Sequence, residues 1–168
     1  YNILEKYHET MSEFEKHIEF QNDENCIYYQ YQALMKLGGE KNLNDALECS
    51  NKLLKIKETA GRYNWHGWIL DELGRSDEAM EKFEMAIKIE PESEDGYRLK
   101  GEALFDQEKY EKSIEFWQKA WELSKDYAWL LKKGIALRKM DSEKRKENQK
   151  EAMAIFDEVL KNDENYGR

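Results

Sequence analysis

Three histidines and two cysteines have the widest chemical range in this chain, and their spacing denies them a shared task. His8, His17 and His66 do not stand at ligand spacing from one another or from Cys26 or Cys49, so no zinc-type set forms in the sequence. The two cysteines are not a close-spaced pair. Each falls inside a helical pattern, which predicts free, half-buried thiols and suits a reducing compartment. Carboxylates occur in many pairs only because they are abundant: 36 of the 168 residues are Asp or Glu. There is no glycine-rich phosphate loop, nucleophile elbow or metal signature. The expectation is a protein that is not an enzyme, with no catalytic residues, no metal and no cofactor. Its side chains would then act by contact, and their positions depend on the helices that carry them.

Composition favours helices. One proline and 9 glycines interrupt the chain rarely, and 38% of its residues are charged. A compact globule struggles to place so many charges outside, whereas layered helix pairs expose more surface per residue. The net charge of −9 argues against general nucleic-acid binding, which needs a basic surface to displace counterions. No apolar run reaches the ~18 residues of a membrane helix, and no signal peptide is recognisable. A cytoplasmic location is the expectation. The first residue is Tyr1 rather than Met, which leaves room for a removed targeting signal or for flanking domains.

The strongest order in the sequence is a repeat. Tyr63, Gly67, Leu70, Phe83 and Ala86 recur 34 residues later as Tyr97, Gly101, Leu104, Trp117 and Ala120. A period of that length marks stacked two-helix units. Leu130, Gly134 and Leu137 begin a third copy, and Ala152, Phe156 and Val159 complete it after an extra charged stretch, 141–146. A weaker copy precedes them at 25–59. It has Ala46 where its successor has Ala79, but a long GGEKNLN turn and Tyr31 in place of the glycine. Residues 1–24 read as a further amphipathic helix, either a cap on the first unit or half of an earlier one. About nine helices are expected: 2–21, 25–37, 43–58, 61–73, 77–89, 94–107, 110–124, one from Tyr127, and 148–161. The units fall at 25–59, 60–93, 94–126 and 127–164. Gly67 and Ala86 are small where two axes cross closely, while Tyr63, Leu70 and Phe83 fill the surrounding space.

The positions of Tyr63, Gly67, Leu70, Ala79, Phe83, Ala86 and Pro91, with their recurrences, resemble the tetratricopeptide repeat family. The resemblance implies an all-α, right-handed superhelical array of antiparallel helix pairs. It also implies that the first helix of each pair lines a concave face which holds a partner's peptide or helix. On that reading the partner-binding residues are Tyr28 and Gln32; Asn64, Trp68 and Asp71; Arg98, Glu102 and Phe105; and Leu131, Ile135 and Arg138. Trp68 and Phe105 are either groove contacts or packing between neighbouring helices. A family variant that clamps a C-terminal carboxylate needs asparagines where Trp68 and Leu99 stand, so chaperone-tail binding of that kind is not expected. The leading expectation is a protein-protein interaction scaffold. The alternatives are a regulatory or targeting segment of a longer enzyme, and an RNA-binding repeat that uses the basic stretch 127–150, with eight bases against three acids. His66 lies on the packing side and is expected to be buried and hydrogen-bonded. Val159 and Leu160 leave the last helix in need of cover, by a C-terminal segment or by self-association.

Overall fold

The computed structural model describes Lys6, Glu9, Ser12, Glu13 and residues 23–140 and 144–166, with side chains to Asn162. Among the described residues it holds eight helices and no strand. They are α1 (Glu24–Leu37), α2 (Glu40–Ile56), α3 (Ala60–Glu72), α4 (Ser76–Ile89), α5 (Glu94–Asp106), α6 (Tyr110–Ser124), α7 (Tyr127–Lys139) and α8 (Arg145–Tyr166). The expected helix at 2–21 lies outside the described residues except at four positions, which are helical. His8 and His17 lie outside them as well.

Side-chain oxygens set several of the starts. Asp23, Thr59, Ser93 and Asp126 each accept from a backbone N–H of the first turn, at Cys26, Arg62, Asp95 and Ala128. Such caps each contribute on the order of 1 kcal/mol. The first turn between helices departs from expectation. GGEKNLN is not a seven-residue loop, because α2 begins at Glu40 and only Gly38-Gly39 connects it to α1. Both glycines have positive φ, 63° and 81°, so two residues suffice to reverse the chain. The polar run Glu40–Asn44 hid a helix start. Asn42 and Asn44 hydrogen-bond the carbonyls of Gly38 and Glu40. At the other end, Arg145 and Lys146 of the expected charged insertion already belong to α8.

The chain divides into two compact units, residues up to Ile89 and residues from Glu90. In the first, α1 packs on α2, α2 on α3 and α3 on α4; in the second, α5, α6, α7 and α8 pack in the same succession. Connections of a few residues make successive helices antiparallel. Ile27, Tyr31, Leu34, Ala46, Cys49, Leu53 and Ile69 form one core cluster in the first unit. Tyr31, standing where other copies have glycine, is buried and stacks on Trp65 with ring centroids 5.6 Å apart. Leu130, Leu137, Ala152 and Ile155 anchor a core in the second. At each repeated glycine the helix backbone lies directly against an aromatic ring. A Cβ on Gly67, Gly101 or Gly134 would come within 2.6, 2.7 and 2.6 Å of Phe83, Trp117 and Phe156. That contact is the reason for the glycine.

Candidate partner-binding faces

The predicted contact residues do not share one environment. In the first unit, Tyr28 is half-buried and its ring packs on Trp65 at 5.1 Å. Gln32 is exposed and donates to the Tyr28 hydroxyl at 2.8 Å. Trp68 is 42% exposed, a large apolar ring left at the surface of α3. Asp71 is half-buried and accepts from the Ser76 hydroxyl at 3.1 Å. Asn64 differs from the rest: it is buried, and its Oδ1 has no hydrogen-bond partner among the described residues.

In the second unit, the three predicted residues of α5 are engaged with neighbouring side chains, and the three of α7 are exposed. Arg98 pairs with Asp95 at 2.9 Å and lies over the Trp129 ring at 5.9 Å. Glu102 accepts from Lys132 at 2.6 Å and stands 3.8 Å from Arg98. Phe105 packs against the Tyr110 and Trp117 rings at 5.2 and 5.3 Å and carries Lys139 on its face at 4.9 Å. It is half-buried packing as well as surface. Leu131 and Ile135, one turn apart on α7, are 41% and 40% exposed. Arg138 follows on the same stripe and is exposed. Leu131 also lines a pocket of about 400 Å³ with Lys125, Asp126, Tyr127, Ala128, Val159 and Asn162. Several bases of the 127–150 stretch are engaged within the unit: Lys132 with Glu102, Lys133 with Glu151 at 3.1 Å, and Lys139 on Phe105.

The chemically versatile residues are packed away. His66 is buried and bonds Ser50 through Nδ1 at 2.8 Å. The Ser50 hydroxyl donates to the Leu47 carbonyl, also at 2.8 Å, so both bonds together require His66 to donate from Nδ1. Burial, reinforced by Lys82 and Arg75, lowers the His66 pKa to about 4 and keeps the ring neutral. Burial likewise pushes the Cys49 thiol up to about 11, away from thiolate chemistry. Both cysteines are free. Among the described residues no cluster of three or more His, Cys, Asp or Glu could hold a metal ion. None of the described helices is long and apolar enough to cross a membrane.

Sequence reasoning passed over Arg62. Its guanidinium is buried, donates to the carbonyls of Leu53 at 2.6 Å and Lys57 at 2.9 Å, and pairs with the Glu24 carboxylate. It thereby satisfies the C-terminus of α2 and ties it to the start of α1. An arginine three residues into a helix gives no sign in sequence that a neighbouring helix ends beside it.

Helix pairs closed by glycine-on-ring contacts at steps of 34 and 33 residues define a class of repeat protein. The sequence model of the tetratricopeptide repeat matches residues 60–93. No curated protein sequence matches the chain significantly. Solved structures share its fold. One is the crystal structure of MamA, with a TM-score of 0.76 at 18% identity, covering 99% of this chain and 98% of that one. A second is the tetratricopeptide protein TTC0263 of Thermus thermophilus, with a TM-score of 0.68 at 17% identity, covering 94% and 84%. A third is YrrB, described as a tetratricopeptide protein with an unusual peptide-binding site, with a TM-score of 0.66 at 13% identity, covering 94% and 78%. The chain has the tetratricopeptide-repeat fold, and residues 60–93 are such a repeat. The fold is that of protein-interaction scaffolds.

Proposed function

We propose that the chain is a non-catalytic scaffold that holds a peptide or helix of a partner protein on the first helices of its pairs, with the α5–α7 face as the principal seat. The observation that carries this reading is the exposure of Leu131 and Ile135, one turn apart and followed by Arg138. Two aliphatic side chains spaced by four on a helix form a stripe that a partner's apolar side chains can cover. The α7 helix that carries them holds four bases, Lys132, Lys133, Arg138 and Lys139, and no acid, so the fitting partner carries acidic residues beside its apolar anchors. On the first unit taken by itself, the exposed Trp68 ring is a separate contact of the kind favoured in binding hot spots. YrrB, a structural neighbour, is described as having a peptide-binding site, which supports a peptide as the occupant.

Selection from a random peptide library tests this reading. The chain should enrich peptides that combine acidic and apolar residues. Ile135→Ser and Arg138→Glu, both at exposed positions, should each weaken the selected peptides at least about tenfold, the scale of a hot-spot truncation. Enrichment that survives both substitutions while the circular dichroism spectrum is unchanged would show that the α5–α7 face is not the seat.

A further inference from the structure

The outer face of α8 repeats, in register, a face that the preceding pair buries. Ile114 and Trp121 of α6 pack against the core cluster formed with α7, around Leu130 and Leu137. The corresponding positions on α8, 39 residues on, are Met153 and Leu160, just as Ser113, Trp117 and Ala120 correspond to Ala152, Phe156 and Val159. Met153 is 67% exposed and Leu160 61% exposed. The face that takes an antiparallel helix in one pair is thus apolar in the next, with nothing over it among the described residues. A face meant for water would carry polar residues at those two places.

Charge along the same stripe specifies what fits. Lys146, Lys150, Met153, Asp157 and Leu160 alternate steps of four and three, the seam spacing of paired helices, and Glu164 continues the series in sequence. Residues 144–150 hold four bases and one acid; residues 151–164 hold five acids and one base. This polarity runs against the helix's own dipole, which favours acids at the N-terminus and bases at the C-terminus. Isolated helix stability therefore does not explain it. An identical helix laid antiparallel does, because each basic end then lies along the other's acidic end, with Met153 and Leu160 enclosed between.

We infer that α8 is a self-association surface, and that its occupant is α8 of a second copy of this chain, packed antiparallel about a two-fold axis. The partner helix takes the direction that α7 takes on α6. Such an interface is isologous and closes at two copies.

A charge exchange in the full chain tests this, with molar mass read by sedimentation equilibrium over micromolar to millimolar concentrations. The unaltered chain is expected to dimerise, and Met153→Glu to weaken the dimer at least about tenfold. Lys146→Glu with Lys150→Glu makes both ends of the stripe acidic; Asp157→Lys with Glu164→Lys makes both basic. Each of these doubly substituted chains alone should be monomeric, and an equimolar mixture should recover the dimer. A chain that stays monomeric throughout, a dimer indifferent to Met153→Glu, or a mixture that remains monomeric overturns the inference. Unchanged helical circular dichroism in every variant separates loss of pairing from loss of fold.

Discussion

Adding one methyl group at each repeated glycine separates the two forces that act there. In an exposed helix Gly→Ala gains up to about 1 kcal/mol from reduced backbone entropy. Gly61, in the first turn of α3, has no atom within 4 Å of where a Cβ would stand, so Gly61→Ala should realise about 0.5–1 kcal/mol. At Gly101 the same methyl would stand 2.7 Å from both Cδ1 and Nε1 of Trp117. Trp117 is buried on all sides and cannot turn away without moving its neighbours. Overpacking of this kind costs about 1–3 kcal/mol, which outweighs the entropy gain. Gly101→Ala should therefore destabilise by about 1–2 kcal/mol, and Gly67→Ala against the buried Phe83 by a similar amount. Gly134→Ala should cost less, because Phe156 is only half-buried and has room to shift. The cause can be isolated. Trp117 Nε1 has no hydrogen-bond partner among the described residues, so Trp117→Phe removes bulk from the clash without breaking a bond. In a double-mutant cycle followed by urea denaturation, Gly101→Ala should then be markedly less harmful in the Trp117→Phe background. If Gly101→Ala instead stabilises as Gly61→Ala does, the glycine is not there for the ring and the packing explanation fails.

Three further outcomes follow from other positions. Glu108 stands 34 residues after Gly74 and makes the same turn, with φ of 59° against 73° and the same backbone bonds from its own amide and the next; Glu108→Gly should raise the denaturation midpoint by the equivalent of about 1 kcal/mol. Arg62→Lys should destabilise the first unit by about 1–3 kcal/mol on thermal unfolding, because an ammonium cannot reach the Leu53 and Lys57 carbonyls and the Glu24 carboxylate in the fixed fork that the guanidinium provides. His66 binds a proton near pH 6.5 when unfolded but only near pH 4 when folded, so stability is undiminished above about pH 6.5 and falls as the pH drops toward 4. Allowing for partial solvent screening, that loss is about 1–2 kcal/mol. It should be absent from His66→Gln when unfolding of the two chains is compared across pH 4–7.

What was legible in the sequence was the part repeated in it. The period of 34 and the small-large alternation follow from packing constraints that recur in every pair, so Gly67, Phe83 and their counterparts announced both the helices and their contacts. Local chemistry that occurs once was harder to read. Gly38-Gly39 looked like the start of a loop because Glu40–Asn44 is polar, yet two positive-φ residues reverse the chain and the helix starts at once. The candidate contact residues were legible as positions but not as environments. Asn64, Trp68 and Asp71 share one stripe, and the structure buries the first, exposes the second and half-buries the third. Helical spacing fixes the direction of a side chain from its own axis; whether a neighbour covers it depends on helices distant in sequence. The same limit applies to Phe105: it packs on Trp117 and carries Lys139 on its face, contacts that its repeat position did not announce. A surface assigned from repeat position alone therefore needs the exposure of each residue before it can nominate a mutation. Here that requirement moves the decisive test from Phe105, whose loss would disturb the α5–α6 core, to Ile135, whose side chain already meets solvent.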